Sequence, residues 1–173
     1  MKFLKILIPI SILSLVFIFD YYNKYYKPNT SFDDESIFLY VIKDDSLAFR
    51  DSISKYIKSE KTFYKVARRL KYMENKKTGR FKINKDLGNN DIVNSLKFNN
   101  TPVNVTFNNQ ERIEDLAGRV SKQIYEDSLS LISAFKDQEF LKKNDLNEKN
   151  VLSIFIPNSY NIFWNTTSED FRD

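Results

Sequence analysis

The stretch Thr101–Val120 constrains the fold of this chain more than any other stretch. Its first part alternates apolar and polar residues, which places Val103, Val105 and Phe107 on one face of a short strand. A polar turn follows, and the apolar residues then recur at helical spacing. The residues with this helical spacing are Ile113, Leu116, Ala117, Val120 and Ile124. The stretch therefore predicts a strand, a polar turn and an amphipathic helix in succession.

Two further stretches have the same organisation. Ile37–Ile57 contains an apolar strand, a turn rich in aspartate and a helix, and Gly79–Leu96 is a looser copy. A second amphipathic helix with Phe63 and Val66 on its apolar face lies between them. The predicted order over Ile37–Asn84 is strand, helix, helix, strand, so the sequence predicts an α+β protein.

The composition excludes several kinds of chemistry. The chain has 173 residues, which is enough for one domain or two very small ones, and its 42% hydrophobic content is ample for a core. It contains no cysteine and no histidine, which excludes disulfides, thiolate or imidazole metal sites and Ser–His triads. Acid–base chemistry must therefore use carboxylates, lysine or tyrosine, and neither a metal nor a cofactor is predicted.

The N-terminus contains a long apolar run. Phe3–Phe19 is almost wholly apolar, and its length is at the lower limit for a helix that crosses a bilayer. Lys2 and Lys5 precede much of it and Asp20 follows it, which predicts a cytoplasmic N-terminus and a chain whose bulk lies on the other side. We therefore expect a single uncleaved transmembrane anchor in this run.

The region of residues 55–82 is strongly basic and contains interleaved aromatic residues. This pattern occurs in proteins that bind nucleic acid. On an exported chain, anionic lipid headgroups or an anionic cell-wall polymer are better partners, and we predict no nucleic-acid partner. A solvated helix face whose aromatic residues belong to the core explains the same pattern. The cations are Lys55, Lys58, Lys61, Lys65, Arg68, Arg69, Lys71, Lys76, Lys77, Arg80 and Lys82.

Apart from the run Asp33-Asp34-Glu35, adjacent acidic residues occur as pairs at four places in the chain. A glycan-cleaving enzyme needs a carboxyl group as acid or base, and a raised pKa helps the group to serve in both roles. These acids lie in polar turns or near helix starts, where helix capping is the simpler role. We therefore name no catalytic acid. The pairs are Asp44-Asp45, Glu114-Asp115, Glu126-Asp127 and Glu169-Asp170.

The chain resembles the membrane-proximal half of MltG-type (YceG-like) endolytic murein transglycosylases. Val41–Ile53 and Thr106–Leu116 resemble the family's pattern of apolar strand, polar turn and Leu-x-x-Ile. Gly79, Phe81 and Ile83 lie on a strand similar to the family's Gly-x-Tyr/Phe-x-Leu/Ile strand. Phe155–Tyr160 resembles its Leu-Phe-Pro-Asp-Thr-Tyr motif, with asparagine for aspartate and serine for threonine.

The resemblance implies a domain organisation. Residues 1–27 would hold the cytoplasmic N-terminus and the transmembrane anchor, and residues 28–36 would form a linker. Residues 37–98 would form a LysM-like β-α-α-β module. Residues 101–173 would be the N-terminal, incomplete part of a YceG-like catalytic domain built from strand-turn-helix units. The expected location is the cell inner membrane, crossed once, with the bulk of the chain in the periplasm.

The resemblance also implies a function. Lytic transglycosylases of this type cleave nascent peptidoglycan strands near the membrane and so limit their length. A glutamate protonates the glycosidic oxygen, and the sugar's own 6-hydroxyl attacks to leave a 1,6-anhydro end. No segment here matches the helix that carries this glutamate, so we expect it beyond Asp173 and expect this chain alone to be inactive. The expected partners are glycan strands, the membrane and cell-wall synthases.

Candidate substrate-binding residues lie near the end of the chain. Aromatic faces stack on sugars and asparagine can hydrogen-bond hydroxyl groups, so the candidates are Pro157, Asn158, Tyr160 and Trp164. A packed strand end with a Pro-Asn turn explains the same residues. The competing function is a non-catalytic, membrane-anchored module that binds peptidoglycan or another envelope component.

Overall fold

The chain is α+β, as predicted, and forms two compact units. The computed structural model describes the backbone of residues 2–173 and the side chains of residues 9–173. Unit 1 is Met1–Asn100 and unit 2 is Thr101–Asp173. Each unit has its own two-stranded antiparallel sheet and its own cluster of buried apolar side chains.

The N-terminal helix α1 extends over Lys2–Tyr25, and the prediction that Phe3–Phe19 crosses a membrane is wrong. Within the described part of the chain, no helix combines the length and the apolar character that crossing a bilayer requires. Residues 20–24 are polar or aromatic. The side chains of Phe3–Ile8, which the prediction included, lie outside the described residues.

After α1, unit 1 contains two strands and three helices. Its strands pair in an antiparallel register with Ser36 opposite Asn84, and this register places Leu39 and Phe81 in the core. The three helices contribute further buried apolar side chains to the same core. The elements are β1 (Ser36–Val41), α2 (Ser46–Ser54), α3 (Glu60–Arg69), β2 (Gly79–Asn84) and α4 (Asn89–Phe98).

Short polar side chains fix where α2 and α3 begin. The Asp45 carboxylate accepts a hydrogen bond of 2.8 Å from the Ala48 backbone N–H, which caps α2. Ser59 caps α3 in the same way by accepting from the Thr62 backbone N–H.

Two buried asparagines connect the end of α1 to the rest of unit 1. The Asn29 side chain donates to Asn89 Oδ1 over 2.7 Å and accepts from the Ser59 backbone N–H over 2.8 Å. The Asn89 amide in turn donates to the backbone carbonyl of Lys24 over 2.8 Å. Because buried amides are costly when unpaired, this network fixes the segment after α1 against the starts of α3 and α4.

Tyr72 places a polar atom in the core of unit 1. Its side chain is fully buried and packs against Phe49 at 5.8 Å between ring centroids, and its hydroxyl has no hydrogen-bond partner among the described residues. Burial raises the pKa of this hydroxyl, so it stays protonated.

Replacing Tyr72 with phenylalanine is therefore expected to stabilise unit 1. Tyr72→Phe removes a buried polar atom without a partner and keeps the ring, so the gain in free energy of unfolding is about 1–2 kcal/mol. Thermal unfolding followed by far-UV circular dichroism measures this change. Tyr40→Phe, at an exposed tyrosine of the same unit, is the matched control. A lower melting temperature for Tyr72→Phe would show that the hydroxyl has a stabilising partner.

Unit 2 begins with the strand, turn and helix that the sequence predicts. Val105 and Phe107 are buried on one face of the first strand, and the helical stripe that contains Leu116 is buried as well. The first strand pairs with the last one in an antiparallel register, with Val105 opposite Tyr160. The elements are β3 (Val103–Phe107), α5 (Ile113–Val120), α6 (Ser128–Phe135), α7 (Gln138–Lys143), a short 3-10 helix (Val151–Ile154), β4 (Asn158–Ile162) and α8 (Ser168–Arg172).

Two segments of unit 2 depart from their local sequence pattern. The helical spacing of apolar residues continues to Ile124, but α5 ends at Val120 and a turn follows it. The β-prone Val151–Ile156 forms a 3-10 helix and an extended segment rather than a strand. Val151 is fully buried in the core cluster, so packing overrides the β-propensity of this segment.

Candidate functional site

Three of the four candidate residues, Pro157, Asn158 and Tyr160, lie at or near the start of β4. The fourth, Trp164, lies beyond the other end of this strand. Pro157 and Asn158 are exposed where β4 begins, and Tyr160 follows within the strand. Trp164 packs against Tyr125 at 5.2 Å between ring centroids, and its backbone carbonyl accepts a hydrogen bond from the Tyr125 N–H.

Tyr160 faces the core and supports the turn before β4. Its ring stacks on Phe107 at 5.5 Å between centroids and 14° between planes. Its hydroxyl donates to the backbone carbonyl of Ile156 over 2.5 Å. Tyr160 therefore positions the backbone before β4. The face of its ring that stacks on Phe107 is not accessible to a sugar.

A cleft of about 280 Å³ lies beside this turn, and Pro157 is on its rim. The 3-10 helix and the segment after it form one wall, and the turn between β3 and α5 forms the other. Amides and a hydroxyl line the rim above an apolar floor, an arrangement that suits a sugar with polar edges and apolar faces. The lining residues are Phe107, Asn108, Asn109, Gln110, Leu116, Leu152, Ser153, Phe155, Ile156 and Pro157.

The turn between β3 and α5 is held by the side chain of Gln110. Its amide donates to Asn108 Oδ1 over 2.7 Å and to the backbone carbonyls of Asn108 and Asn109. The Asn109 side chain makes no hydrogen bond within the described part of the chain and is exposed at the rim. Asn109 is therefore the amide best placed to bind a hydroxyl group of a ligand.

Three of the acidic residues that the sequence singled out have structural roles in the fold. Asp45 and Asp127 cap α2 and α6. A hydrogen bond of 2.7 Å from the Lys136 ammonium holds the pKa of Glu114 below its usual range. The backbone N–H of Ser130 likewise lowers the pKa of Asp127. These shifts are opposite to the raised pKa that a general acid needs.

The side chains of Asp and Glu in the described residues are all exposed or half-buried. Glu126 is half-buried and accepts a hydrogen bond of 3.0 Å from the buried hydroxyl of Ser168, which connects the segment before α6 to α8. Within residues 9–173, no group of three or more carboxylates is placed to hold a metal ion.

The basic region of residues 55–82 separates into exposed cations and core aromatic residues. Lys61, Lys65 and Arg68 lie on the exposed face of α3. The aromatic residues interleaved with them in sequence are mostly interior, because Phe63 and Phe81 are buried in the core cluster. The exposed face of α3 therefore presents these cations, whereas Phe63 of the same helix belongs to the core.

The comparisons with known proteins identify the family of the chain. The family model described as the YceG-like family matches residues 48–173, which include most of unit 1 after β1 and all of unit 2. The chain therefore belongs to the YceG-like family. Neither a curated protein nor a solved structure matches it.

The cleft residues other than Pro157 were missed by reasoning from the sequence. The sequence predicts this turn only as a polar connection between strand and helix, and α5 begins after Arg112, whose side chain makes no capping hydrogen bond. The pairing of β3 with β4 brings this turn beside Pro157. Because about fifty residues separate the two walls, no local pattern shows that they meet.

Proposed function

We propose that this protein acts on the glycan strands of peptidoglycan as part of a lytic transglycosylase. Membership of the YceG-like family, which the match over residues 48–173 establishes, is the observation that carries the proposal. The cleft beside Pro157 supports it, because its rim amides and apolar floor suit a sugar ring. In this proposal, strand cleavage limits the length of newly made glycan.

The proposed reaction is an internal transfer within one sugar. The bond between C1 of a muramic residue and O4 of the next glucosamine breaks, and a bond forms between C1 and O6 of the same muramic residue. The proton of the 6-hydroxyl leaves by way of a carboxyl group, which delivers a proton to O4, so no water is consumed. We assign this carboxyl role to none of the described acids.

The substrate also suggests where both units act. Nascent glycan strands lie outside the cytoplasm, so we propose a periplasmic location for both units, near the synthases that supply the strands. Cell-wall synthases are the proposed protein partners. A second candidate function is strand binding without cleavage, and the structural roles of Asp45, Asp127 and Glu114 favour it for the part of the chain described.

Strand binding by the cleft can be tested with one asparagine variant and a matched control. Asn109→Ala removes the rim amide and is expected to weaken binding of soluble glycan strands about fivefold, because one neutral hydrogen bond is lost. Asn104→Ala changes an exposed asparagine on β3, whose side chain points away from the buried face of that strand, and should have no effect. Fluorescence anisotropy of labelled strands with the full chain provides the measurement. Equal affinities for the two variants would exclude the cleft as the binding site.

A further inference from the structure

The two-stranded sheet of unit 2 has two outer edges, and a side chain closes the one on β3. The Gln123 amide accepts a hydrogen bond of 2.9 Å from the Thr106 backbone N–H and donates one of 3.0 Å to the Thr106 carbonyl. Gln123 therefore takes the place of a neighbouring strand at this edge. Because both backbone groups of Thr106 point to the outer edge, the Thr106–Ser159 pair belongs to the pairs without backbone hydrogen bonds between β3 and β4.

The same alternation determines which backbone groups of β4 point away from β3. Ser159 lies opposite Thr106, so its N–H and C=O point to the outer edge of β4, and those of Asn161 do so as well. Both residues are exposed. In the part of the chain that the structure describes, the Ser159 N–H bonds to the Asn158 side chain, and the outward backbone groups of Asn161 have no hydrogen-bond partner. The outer edge of β4 is therefore open.

The open edge is complementary to itself in an antiparallel register centred on Tyr160. In this register, Ser159 of one copy lies opposite Asn161 of the other, and the same pair occurs again on the other side of Tyr160. Residues directly opposite each other in such a pair exchange both of their N–H···O=C bonds. All the outward backbone groups of Ser159 and Asn161 are then paired.

The ends of the strand fit the same register. It places Pro157 of one copy opposite Phe163 of the other. Proline has no N–H, and the Phe163 carbonyl already accepts a hydrogen bond of 3.0 Å from the Thr166 N–H. The bond that remains for this pair joins the Phe163 N–H to the Pro157 carbonyl, and both residues can form it.

The composition of the segment around β4 also favours a second copy as the partner. Residues 151–168 contain no Asp, Glu, Lys or Arg, in a chain that is 29% charged, so two copies of this segment do not repel each other. Edge strands that stay unpaired commonly carry charged side chains, which β4 lacks. Exposed apolar side chains flank the strand, because Ile156 is 66% exposed and Phe163 is 50% exposed.

We propose that two copies of this chain pair through the outer edges of β4, antiparallel and centred on Tyr160, to form one four-stranded sheet. The pairing also places Phe163 of one copy beside Pro157, on the rim of the other copy's cleft. This inference goes beyond the proposed function and does not depend on it. A pair of five-residue strands is smaller than a standard interface of about 800 Å² per partner, so we expect a weak dimer with a Kd of about 10–100 μM.

Introduced cysteines test the register, because the chain contains none of its own. Full-length Ser159→Cys and Asn161→Cys chains, distinguished by a tag, are mixed at about 200 μM, above the expected Kd, and oxidised mildly. Residues opposite each other have Cα atoms about 5.5 Å apart, which suits a disulfide, whereas identical variants have their cysteines two strand positions apart, beyond the limit of about 7 Å. Mixed disulfides should therefore exceed those between identical variants at least about fivefold. A mixture of Asn104→Cys and Asn161→Cys chains, with one cysteine moved to an exposed position on β3, is the control and should give no such excess.

Proline substitution provides a second test. Asn161→Pro removes an outward N–H and leaves the bonds to β3 in place, since proline is tolerated on an edge strand when the N–H faces solvent. Asn104→Pro removes the outward N–H of β3 in the same way and is the matched control. Sedimentation velocity of the full chain is expected to show that Asn161→Pro weakens the dimer about tenfold and that Asn104→Pro leaves it unchanged. Circular dichroism spectra establish that the variants remain folded.

Three results would overturn the inference. They are equal yields of mixed and identical disulfides, no disulfide in any mixture, and equal dimer fractions for the two proline variants. Protection of the Asn161 amide from hydrogen exchange by another protein, without disulfides between copies of this chain, would assign the edge to a different occupant and likewise overturn the proposal. Strand binding is measured separately with Asn109→Ala, so a failure of the pairing leaves the proposed function intact.

Discussion

Leu131→Ala is expected to destabilise unit 2 by about 2–5 kcal/mol, which is the cost of deleting a fully buried leucine side chain and leaving a cavity. Leu131 is on α6, is 0% exposed and belongs to the core cluster that β3, α5 and the 3-10 helix also form. A domain of this size has a small margin of stability, so a loss of this magnitude is a large part of it. We expect a substantial fraction of unit 2 to be unfolded at physiological temperature.

The chain offers a matched control and a specific probe for this prediction. Leu129 lies on the same helix but is 76% exposed, so Leu129→Ala should change the free energy of unfolding by less than about 0.5 kcal/mol. Trp164, the one tryptophan of the chain, is in unit 2, and its fluorescence therefore reports the unfolding of this unit. Similar urea midpoints for the two variants would show that α6 does not pack as described.

Gly88→Ala is expected to destabilise unit 1 by roughly 2–3 kcal/mol, because the added methyl group meets backbone atoms. A Cβ at Gly88 would lie 2.6 Å from the carbonyl oxygen of Tyr26 and 2.7 Å from that of Tyr25. Backbone oxygens cannot rotate away as a side chain can. The end of α1 must therefore separate from the start of α4, which also weakens the Asn29–Asn89 network.

The same substitution at another glycine is expected to raise the free energy of unfolding instead of lowering it. Gly118 is in α5, and a Cβ added there would meet no described atom within 4 Å outside the adjoining helix backbone, so Gly118→Ala should stabilise unit 2 by about 1 kcal/mol through helix propensity. The near-UV circular dichroism of tyrosine reports mainly unit 1, because of the ten tyrosines only Tyr125 and Tyr160 are in unit 2. An unchanged or higher melting temperature of unit 1 in Gly88→Ala would contradict the close approach of the Tyr25 and Tyr26 carbonyl oxygens to Gly88.

Short-range periodicity explains which parts of the fold were predictable. The alternation of Val103, Val105 and Phe107 and the helical stripe that contains Leu116 each depend on neighbours within a few residues, and both occur as predicted. The limits of β4 could not be predicted locally, because they are set by its pairing with β3, which lies about fifty residues earlier. The transmembrane prediction was wrong, since within the described residues no helix has the length and the apolar character that a bilayer-crossing helix requires.

The candidate site was less predictable than the fold. The motif Phe155–Tyr160 identified the turn before β4, but the inward stacking of Tyr160 on Phe107 depends on strand pairing. The same pairing brings Asn109 to the cleft. In unit 1, the sequence directed attention to aromatic residues such as Phe63, which is buried, whereas Phe38 and Tyr40 face outward because β1 pairs with β2.

The most direct test of the proposed function is an analysis of the cell wall in cells that lack this protein. Glycan strands are purified, their length is determined by chromatography, and the fraction that ends in a 1,6-anhydro sugar is determined by mass spectrometry. If the protein takes part in strand cleavage, its removal will lengthen the strands and lower the fraction of anhydro ends, and restoring the gene will reverse both changes. Strands of unchanged length with an unchanged fraction of anhydro ends would contradict a role in lytic transglycosylation.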